Sequence, residues 1–173
     1  MAETKTTEKK KFDIDPATLK LIAEAEKGIS SFAFDRPDVD IPVGKKLHVK
    51  LGANASSRAS VQILNKGGEN NLHYHANMDL MYMVLKGKVR FYGEGDRLLG
   101  EYAPFQGVTL PQYSRYWFES AGDDEAWLLQ IAGYPSGAEQ SKRIPVEEGN
   151  RPSSDLWIGL SEEEETIRRR NNR

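Results

Sequence analysis

The sequence predicts an all-β domain, an antiparallel barrel or jelly roll, with a short helix before it and an irregular, partly helical extension after it. Between residues 29 and 135, short segments rich in Val, Ile, Leu, Tyr, Phe and Trp alternate with turns that contain Gly, Asn or Asp. No helical periodicity interrupts these segments, so the strands have no crossover helices and are expected to pair antiparallel. The chain of 173 residues is long enough for one such core with appendages.

The N-terminal part is expected to be a polar tail followed by a helix. Residues 1–12 are charged and are expected to be disordered. A short helix is predicted within residues 13–28, because Asp15 is a suitable N-cap, Pro16 occupies the first helical position and Gly28 ends the pattern. An apolar stripe at helical spacing indicates that this helix packs on the outside of a larger body.

Eight strands are predicted in the barrel, which spans residues 29–135. His48 alternates with apolar neighbours on the second of them, so we expect it to be exposed on the opposite face and to be a poor metal ligand. The predicted strands are Ser31–Phe34, Lys46–Leu51, Ala59–Asn65, Asp79–Leu85, Lys88–Tyr92, Val108–Leu110, Ser114–Ser120 and Glu125–Ala132.

Residues 136–173 form a C-terminal extension that Pro145 and Pro152 interrupt. Leu156–Ile158 is an apolar anchor for docking on the barrel or on a second subunit. Ser161 and Glu164 match a capping box, and acidic residues precede basic ones in the segment that follows. The sequence therefore predicts a short, charged and solvated helix near the C-terminus.

Composition excludes several classes of protein. Lys and Arg total 24 against 26 Asp and Glu, and this balance argues against a nucleic-acid partner. The absence of cysteine excludes disulfides, thiolate metal sites and a cysteine nucleophile, and it is consistent with a cytoplasmic protein. No apolar run approaches the ~18 residues of a spanning helix. The charged N-terminus does not read as a secretory signal, so we expect a cytoplasmic location and no membrane partner.

Two of the three histidines are candidate site residues because they are two positions apart. Residues at this spacing on a strand point to the same side, so His73 and His75 can present two imidazoles to one point. Imidazole suits Zn, Fe, Cu or Ni. Gly67 and Gly68 lie shortly before the pair and favour a turn into the strand. The alternative is a pair of surface or hydrogen-bonded histidines.

The pattern Gly67-x5-His73-x-His75, with Gly87 further on, resembles the first motif of the cupins. In that family the motif reads Gly, five residues, His-x-His, three or four residues, Glu, six residues and Gly. Residues Pro111–Tyr116 show a weaker similarity to the second motif, which ends in Pro-x-Gly-x2-His. The resemblance covers about half of the chain and implies a small jelly-roll barrel, usually dimeric, with its pocket inside. Family members include dioxygenases, decarboxylases, isomerases, lyases and non-catalytic binding proteins.

The resemblance implies a metal centre of three histidines and one glutamate, and this sequence departs from it. His73 and His75 carry over. The glutamate position falls on Leu80, which cannot ligate, or on Asp79, which can do so only if the strand is bent or bulged there. The position of the third histidine holds Tyr116, a poor ligand unless the phenol ionises, and its reference pKa is about 10.

Three interpretations remain open. The favoured one is a divalent metal site (Fe, Mn, Zn, Ni or Cu) of His73, His75 and Asp79, completed by water or Tyr116, in a dioxygenase or oxidase that acts on a small aromatic or carboxylate substrate. The second is a metal-free isomerase or lyase in which His73 or His75 is a general base and Tyr116 a hydrogen-bond donor. The third is a non-catalytic barrel that binds a small molecule.

Other expectations concern ligand contacts and assembly. Gln62 and Gln130 are candidate orienting amides inside the barrel, although each is also an ordinary strand residue. Arg90 and Arg115 are candidates to bind a substrate carboxylate, with a surface position as the alternative. The resemblance implies a homodimer, in which residues 31–34 or 156–158 cross to the partner and cover an edge strand.

Overall fold

The computed structural model describes the following parts of the chain: residues 12–42, 45–66, 70–135, 143–146 and 156–158. Contacts divide the chain into two units, residues 1–31 and residues 32–173. In the first unit, helix α1 spans Pro16–Glu26. The carboxylate of Asp15 caps it by accepting hydrogen bonds from the backbone N–H groups of Ala17 and Thr18, at 3.0 and 3.1 Å. No residue of the helix is buried.

The second unit is built of short strands that form two sheets, as an antiparallel jelly roll requires. The strands are β1 Lys46–Ala53, β2 Ser57–Leu64, β3 His73–His75, β4 Asp79–Lys86, β5 Val89–Tyr92, β6 Leu98–Tyr102, β7 Gly107–Leu110, β8 Trp117–Ser120, β9 Ala126–Gly133, β10 Arg143–Pro145 and β11 Leu156–Ile158. The larger sheet has the order β11-β1-β2-β9-β4-β7. The smaller sheet has the order β6-β5-β8, and a bridge between His73 and Tyr116 joins it to β3 and β10. Every pairing except that of β11 with β1 is antiparallel, and the all-β prediction is confirmed.

The core between the sheets comes from strict alternation along the strands. On β4 the burial pattern makes Leu80, Tyr82 and Val84 face inward while their neighbours face outward. Phe91 of β5 and Phe118 of β8 meet them from the smaller sheet, and both are fully buried. This interior is where the candidate site lies.

The larger sheet is also covered on its outer face. Leu47 and Val49 of β1 lie in a second apolar cluster with Ile41 and residues of β2, and Phe34 and Ile158 pack against it. The ring of Phe34 meets that of Trp127 edge-on at 5.2 Å. The larger sheet therefore has apolar contacts on both faces.

Several sequence expectations need correction. Residues 31–34 form no strand, because Phe34 is held by side-chain packing on Trp127 while Phe32 remains 62% exposed. Strand β6 was not predicted, because Gly100 interrupts the alternation of apolar and polar residues along it and the strand is only partly buried. The 156–158 anchor pairs with β1 of its own chain, which is the first of the two dockings expected for it.

Some expectations concern residues that the structure does not describe. The glycines at 67 and 68, residues 1–11 and the C-terminal helix expected around 161–170 lie outside the described residues. Within the described part, no helix has the length and apolar character needed to cross a membrane.

Candidate functional site

Strand β3 carries the two candidate imidazoles to the interior. His73 is 2% exposed and His75 is partly buried, and their ring centres are 5.2 Å apart. The backbone of His73 exchanges hydrogen bonds of 3.1 and 3.0 Å with that of Tyr116. This bridge fixes the start of the HxH segment against the segment that precedes β8.

Tyr116 lies directly against the imidazoles. Its ring centre is 4.4 Å from that of His73 and 6.3 Å from that of His75, and the residue is 1% exposed. The hydroxyls of Tyr116 and Tyr82 are 3.1 Å apart. Burial raises the pKa of Tyr116 well above its usual value, and the pKa of Tyr82 is also raised by burial. Both phenols are therefore neutral hydrogen-bonding groups at ordinary pH.

Two glutamines extend this network into the larger sheet. Gln62 is 3% exposed, and its Nε2 donates to Oε1 of Gln130. A hydrogen bond between Gln62 and the Tyr82 hydroxyl partly offsets the burial effect on the pKa of Tyr82. Because Oε1 of Gln62 has no hydrogen-bond partner, that bond comes from Nε2. Tyr82 therefore accepts from Gln62 and shares a hydrogen bond with Tyr116 in which either hydroxyl can be the donor.

The tautomer of His73 is set by the backbone. Its Nδ1 lies 2.7 Å from the carbonyl oxygen of Asn71, and a carbonyl can only accept. Nδ1 therefore carries the proton in the neutral ring, and Nε2 is the acceptor atom. This arrangement orients the ring in the way that backbone carbonyls orient catalytic or ligating histidines.

The structure does not bring Asp79 to this cluster. The residue is exposed, and its Oδ1 accepts a hydrogen bond of 3.0 Å from the backbone N–H of Gln112. The register from Asp79 to Val84 is regular against β9, so the bulge that an inward Asp79 would require is absent there. Leu80, at the other possible glutamate position, faces inward and is buried in the core.

The described donors do not complete a divalent metal site. In the described part of the chain, no three His, Cys, Asp or Glu side chains lie close enough to hold an ion. His73 and His75 supply two donors, and the raised pKa of Tyr116 keeps its oxygen a poor third. Metal sites of enzymes use about three protein ligands, so this set falls short of the expected centre of His73, His75 and Asp79.

The structure corrects the expectation for His48, which is 6% exposed. It lies on the inner face of β1 and pairs with Gln62 of β2. The sequence pattern correctly separated it from Leu47 and Val49, but those residues face the outer cluster rather than the interior. The outer face of the larger sheet is also covered by apolar side chains. The apolar side of β1 therefore faces outward, and its polar side faces the interior.

The two arginines proposed as carboxylate ligands are engaged elsewhere. Arg90 donates to Glu101 at 2.8 Å, and Arg115 pairs with Glu94, both at exposed positions. Arg90 alternates with Phe91, which faces inward, so the guanidinium faces outward. Neither arginine reaches the interior.

Tyr113, at the position where the resembled second motif has glycine, has a backbone conformation that glycine adopts more readily than other residues. Its φ is 63°, in the left-handed region. Its N–H donates to the carbonyl of His75 at 2.8 Å, and its ring stacks on Tyr74 at 6.0 Å. In the sequence, Tyr113 is marked only as a tyrosine at the position where the resembled motif has glycine.

Comparison with known proteins gives a likeness of fold. No family model matches the sequence, and neither does any curated protein. A protein with a double-stranded β-helix domain from Klebsiella pneumoniae is 12% identical with a TM-score of 0.52, over 61% of this chain and 90% of that one. The cupin domain of Cnp3 from Schizosaccharomyces pombe is 14% identical with a TM-score of 0.51, over 60% of this chain and 69% of that one. At these identities the likeness establishes the fold, and the activity has to be argued from side chains.

Proposed function

Since the chain has the cupin fold, we propose that it is an acid–base enzyme, an isomerase or lyase, acting on a small carbonyl compound in the barrel. His75 is the general base, and Tyr116 donates a hydrogen bond to the substrate oxygen. The observation that carries this proposal is the series Gln130–Gln62–Tyr82–Tyr116, which ends beside two imidazoles in the buried interior.

The chemistry follows from which groups can hold or release a proton. Removal of a proton next to a carbonyl builds negative charge on the carbonyl oxygen, and a fixed donor in a dry site stabilises that charge. Burial keeps the phenol of Tyr116 protonated, and in this proposal its hydroxyl accepts from Tyr82, 3.1 Å away, and donates to the substrate. His75 is partly buried and is the imidazole that a ligand can reach, whereas His73 is almost fully enclosed.

The test is solvent exchange of carbon-bound protons. The protein in D2O is mixed with pyruvate, oxaloacetate, acetoacetate and dihydroxyacetone, and deuterium incorporation is followed by proton NMR. We expect incorporation into at least one compound, a loss of about 100-fold or more for His75→Ala, and a loss of about 10- to 100-fold for Tyr116→Phe. Tyr74→Phe, on the opposite side of β3, is the matched control and should keep the wild-type rate.

Two results would contradict the proposal. Exchange that persists in both His75→Ala and Tyr116→Phe would show that other groups do the chemistry. No exchange in any compound, with binding intact, would favour the non-catalytic barrel.

A second candidate is a metal-dependent oxidase or dioxygenase, which the arrangement of His73 favours. Its Nδ1 is held by the Asn71 carbonyl, as is common for ligating histidines, and its ring centre is 5.2 Å from that of His75. Such an ion would supply Lewis-acid or redox chemistry, and it would need donors beyond the described set. Elemental analysis of protein purified without added metal tests this: stoichiometric Fe, Mn, Zn, Ni or Cu that His73→Ala removes would favour it.

A further inference from the structure

Strand β10 places an arginine beside the strand that carries the two imidazoles. In the antiparallel ladder of β10 and β3, Arg143 pairs with His75 and Pro145 pairs with His73. Side chains of residues that lie directly opposite in such a ladder are on the same face. Arg143 is therefore on the face of β3 that carries both imidazoles.

The guanidinium of Arg143 shares its acceptor with His73. Nη2 of Arg143 donates to the carbonyl oxygen of Asn71 at 3.0 Å, and Nδ1 of His73 lies 2.7 Å from the same oxygen. A carbonyl oxygen has two lone pairs, and these two donors can occupy both. The Asn71 carbonyl therefore cannot turn away from the imidazole without also breaking its bond to Arg143.

The backbone after β10 holds the same segment. The N–H group of Val146 donates to the carbonyl oxygen of Leu72 at 3.0 Å. Two consecutive carbonyls before β3, those of Asn71 and Leu72, are thus bound by residues of the 143–146 segment. Arg143 is 72 residues further along the chain than Asn71, so the position of the HxH segment depends on a distant part of the sequence.

The burial of Arg143 is not explained by stability. Its Nη1 is buried and makes no hydrogen bond to the residues that the structure describes. A buried donor without an acceptor lowers the stability of the fold, and more so in a charged group. An apolar side chain of similar length would avoid this cost. The contact of Nη2 with the Asn71 carbonyl is the feature that only a long donor side chain provides.

The tautomer of His73 determines what the other ring nitrogen can do. When Nδ1 carries the proton, Nε2 has a lone pair and accepts a hydrogen bond or a proton, whereas in the other tautomer Nε2 can only donate. The ring centre of His73 is 5.2 Å from that of His75 and 4.4 Å from that of Tyr116. A change of tautomer would therefore change the arrangement of protons around both groups of the proposed acid–base pair.

We propose that Arg143 is a positioning residue of the candidate site. By donating to the Asn71 carbonyl, it keeps that oxygen in place as the acceptor of His73 Nδ1, and it thereby fixes Nε2 of His73 as an acceptor. The effect of Arg143 on catalysis rests on the acid–base function proposed above, but its effect on the tautomer does not.

The tautomer can be measured without any substrate. The protein is labelled with ¹⁵N-histidine, and long-range proton–nitrogen correlations of the rings are recorded at about pH 9, where an ordinary imidazole is neutral. The chain has three histidines, and the signals of His73 are those that His73→Gln removes. We expect Nδ1 to be the protonated nitrogen of His73 in the wild type. Arg143→Met should lower the ratio of the Nδ1–H to the Nε2–H tautomer about fivefold, which is the effect of one hydrogen bond on an equilibrium.

Three further variants separate the proposed contact from a general effect on folding. Arg143→Lys keeps a donor on a long side chain and should restore most of the wild-type ratio. Asn71→Ala should leave the ratio unchanged, because the acceptor is the backbone carbonyl. Arg90→Met is the matched control, since that guanidinium donates to Glu101 at 2.8 Å on the outer face. Circular dichroism of each variant checks folding.

The deuterium-exchange assay then tests the effect on catalysis. Arg143→Met should lower the exchange rate about fivefold, in step with the tautomer ratio, and Arg143→Lys should restore most of it. A changed ratio with an unchanged exchange rate would overturn the positioning role.

The outcomes separate this inference from the proposed function. A wild-type His73 protonated at Nε2, or a ratio in Arg143→Met equal to that of the wild type, would overturn this inference alone, even if exchange is observed. An equal change of the ratio in Arg90→Met would also overturn it. No exchange in the wild type, with the ratio changed only in Arg143→Met, would overturn the acid–base function and leave the role of Arg143 in fixing the tautomer supported.

Discussion

The sequence resemblance to the cupin motif puts Tyr116 at the position of a third histidine, and the surroundings of Tyr116 determine what it can do. Burial raises its pKa, and the hydroxyl of Tyr82 lies 3.1 Å away. A phenol held neutral in this way donates a hydrogen bond and does not ligate an ion well. At the scale of single residues, a buried and neutral tyrosine at position 116 is better suited to hydrogen bonding than to binding an ion.

The buried phenols predict a loss of stability at alkaline pH. The pKa values of Tyr82 and Tyr116 are higher in the folded protein than in the unfolded chain, where a tyrosine titrates near 10. Their contribution to stability is fully present below about pH 10, and it is lost as pH rises above that value, because the unfolded chain then releases protons that the folded protein retains. Urea denaturation between pH 8 and 11.5 should show this fall.

The double variant Tyr82→Phe/Tyr116→Phe provides the control for that experiment. It removes the two hydroxyls, so the decline of the free energy of unfolding above about pH 10 should become shallower. An equally steep decline in the double variant would show that other groups cause it.

The strained backbone of Tyr113 leads to a second prediction. A non-glycine residue in the left-handed region costs about 1–2 kcal/mol, and Tyr113 has φ 63°. Tyr113→Gly should therefore raise the free energy of unfolding by about 1 kcal/mol after the flexibility of glycine is subtracted. Phe105→Gly is the matched control for backbone strain away from the site, because Phe105 has a similar φ of 66° and its side chain is 81% exposed.

Strain of this kind is often retained at functional positions. We therefore expect Tyr113→Gly to slow deuterium exchange, since a more flexible backbone at this position holds the carbonyl of His75 less firmly, and Phe105→Gly to leave exchange unchanged. A Tyr113→Gly variant that gains no stability would contradict the strain argument.

At the scale of elements, β7 approaches β4 so closely that position 107 has no room for a side chain. Gly107 pairs with Met83, and a Cβ atom at position 107 would overlap the carbonyl oxygen of Tyr82. Gly107→Ala should lower the free energy of unfolding by about 3 kcal/mol, because backbone cannot yield as a side chain does. It should also disturb Tyr82 and slow exchange catalysis.

Gly122→Ala is the control for the β7 prediction, since the nearest atom to its added Cβ is 3.9 Å away. Its stability should change by less than about 0.5 kcal/mol. Thermal and urea denaturation of both variants measures the difference. Equal stability of the two variants would mean that β7 can move without cost.

The elements also show what the sequence could and could not predict. The alternation of β4 correctly put Leu80 and Asp79 on opposite faces, and the HxH spacing put both imidazoles on one side. His48 could not be placed, because the sequence does not show that an N-terminal segment covers the outer face of β1. The hydrogen bonds of Gln62 and Tyr82 join strands that are distant in sequence. Local sequence patterns do not show how such strands are aligned with one another.

At the scale of the whole molecule, the outer face of the larger sheet suggests how copies associate. Met81 and Ile131 are 50% and 38% exposed beside an apolar groove of about 480 Å³. The cupin resemblance leads us to propose that a second copy of this chain covers this face. Light scattering at micromolar concentration should then give the mass of a dimer.

A variant tests where the copies meet. Ile131→Asp should give monomers, because a buried unpaired carboxylate is costly. Leu98→Asp, at an exposed position of the smaller sheet, should remain dimeric. A monomeric wild type, or a dimeric Ile131→Asp variant, would contradict this assembly.

The acid–base account is tested most directly by deuterium exchange before and after chelation, with the metal content of the same sample measured. The account predicts that the exchange rate stays constant while EDTA removes any bound metal, and that His75→Ala abolishes it. An exchange rate that falls in proportion to the metal removed, and returns when Fe, Mn, Zn, Ni or Cu is added, would contradict the account.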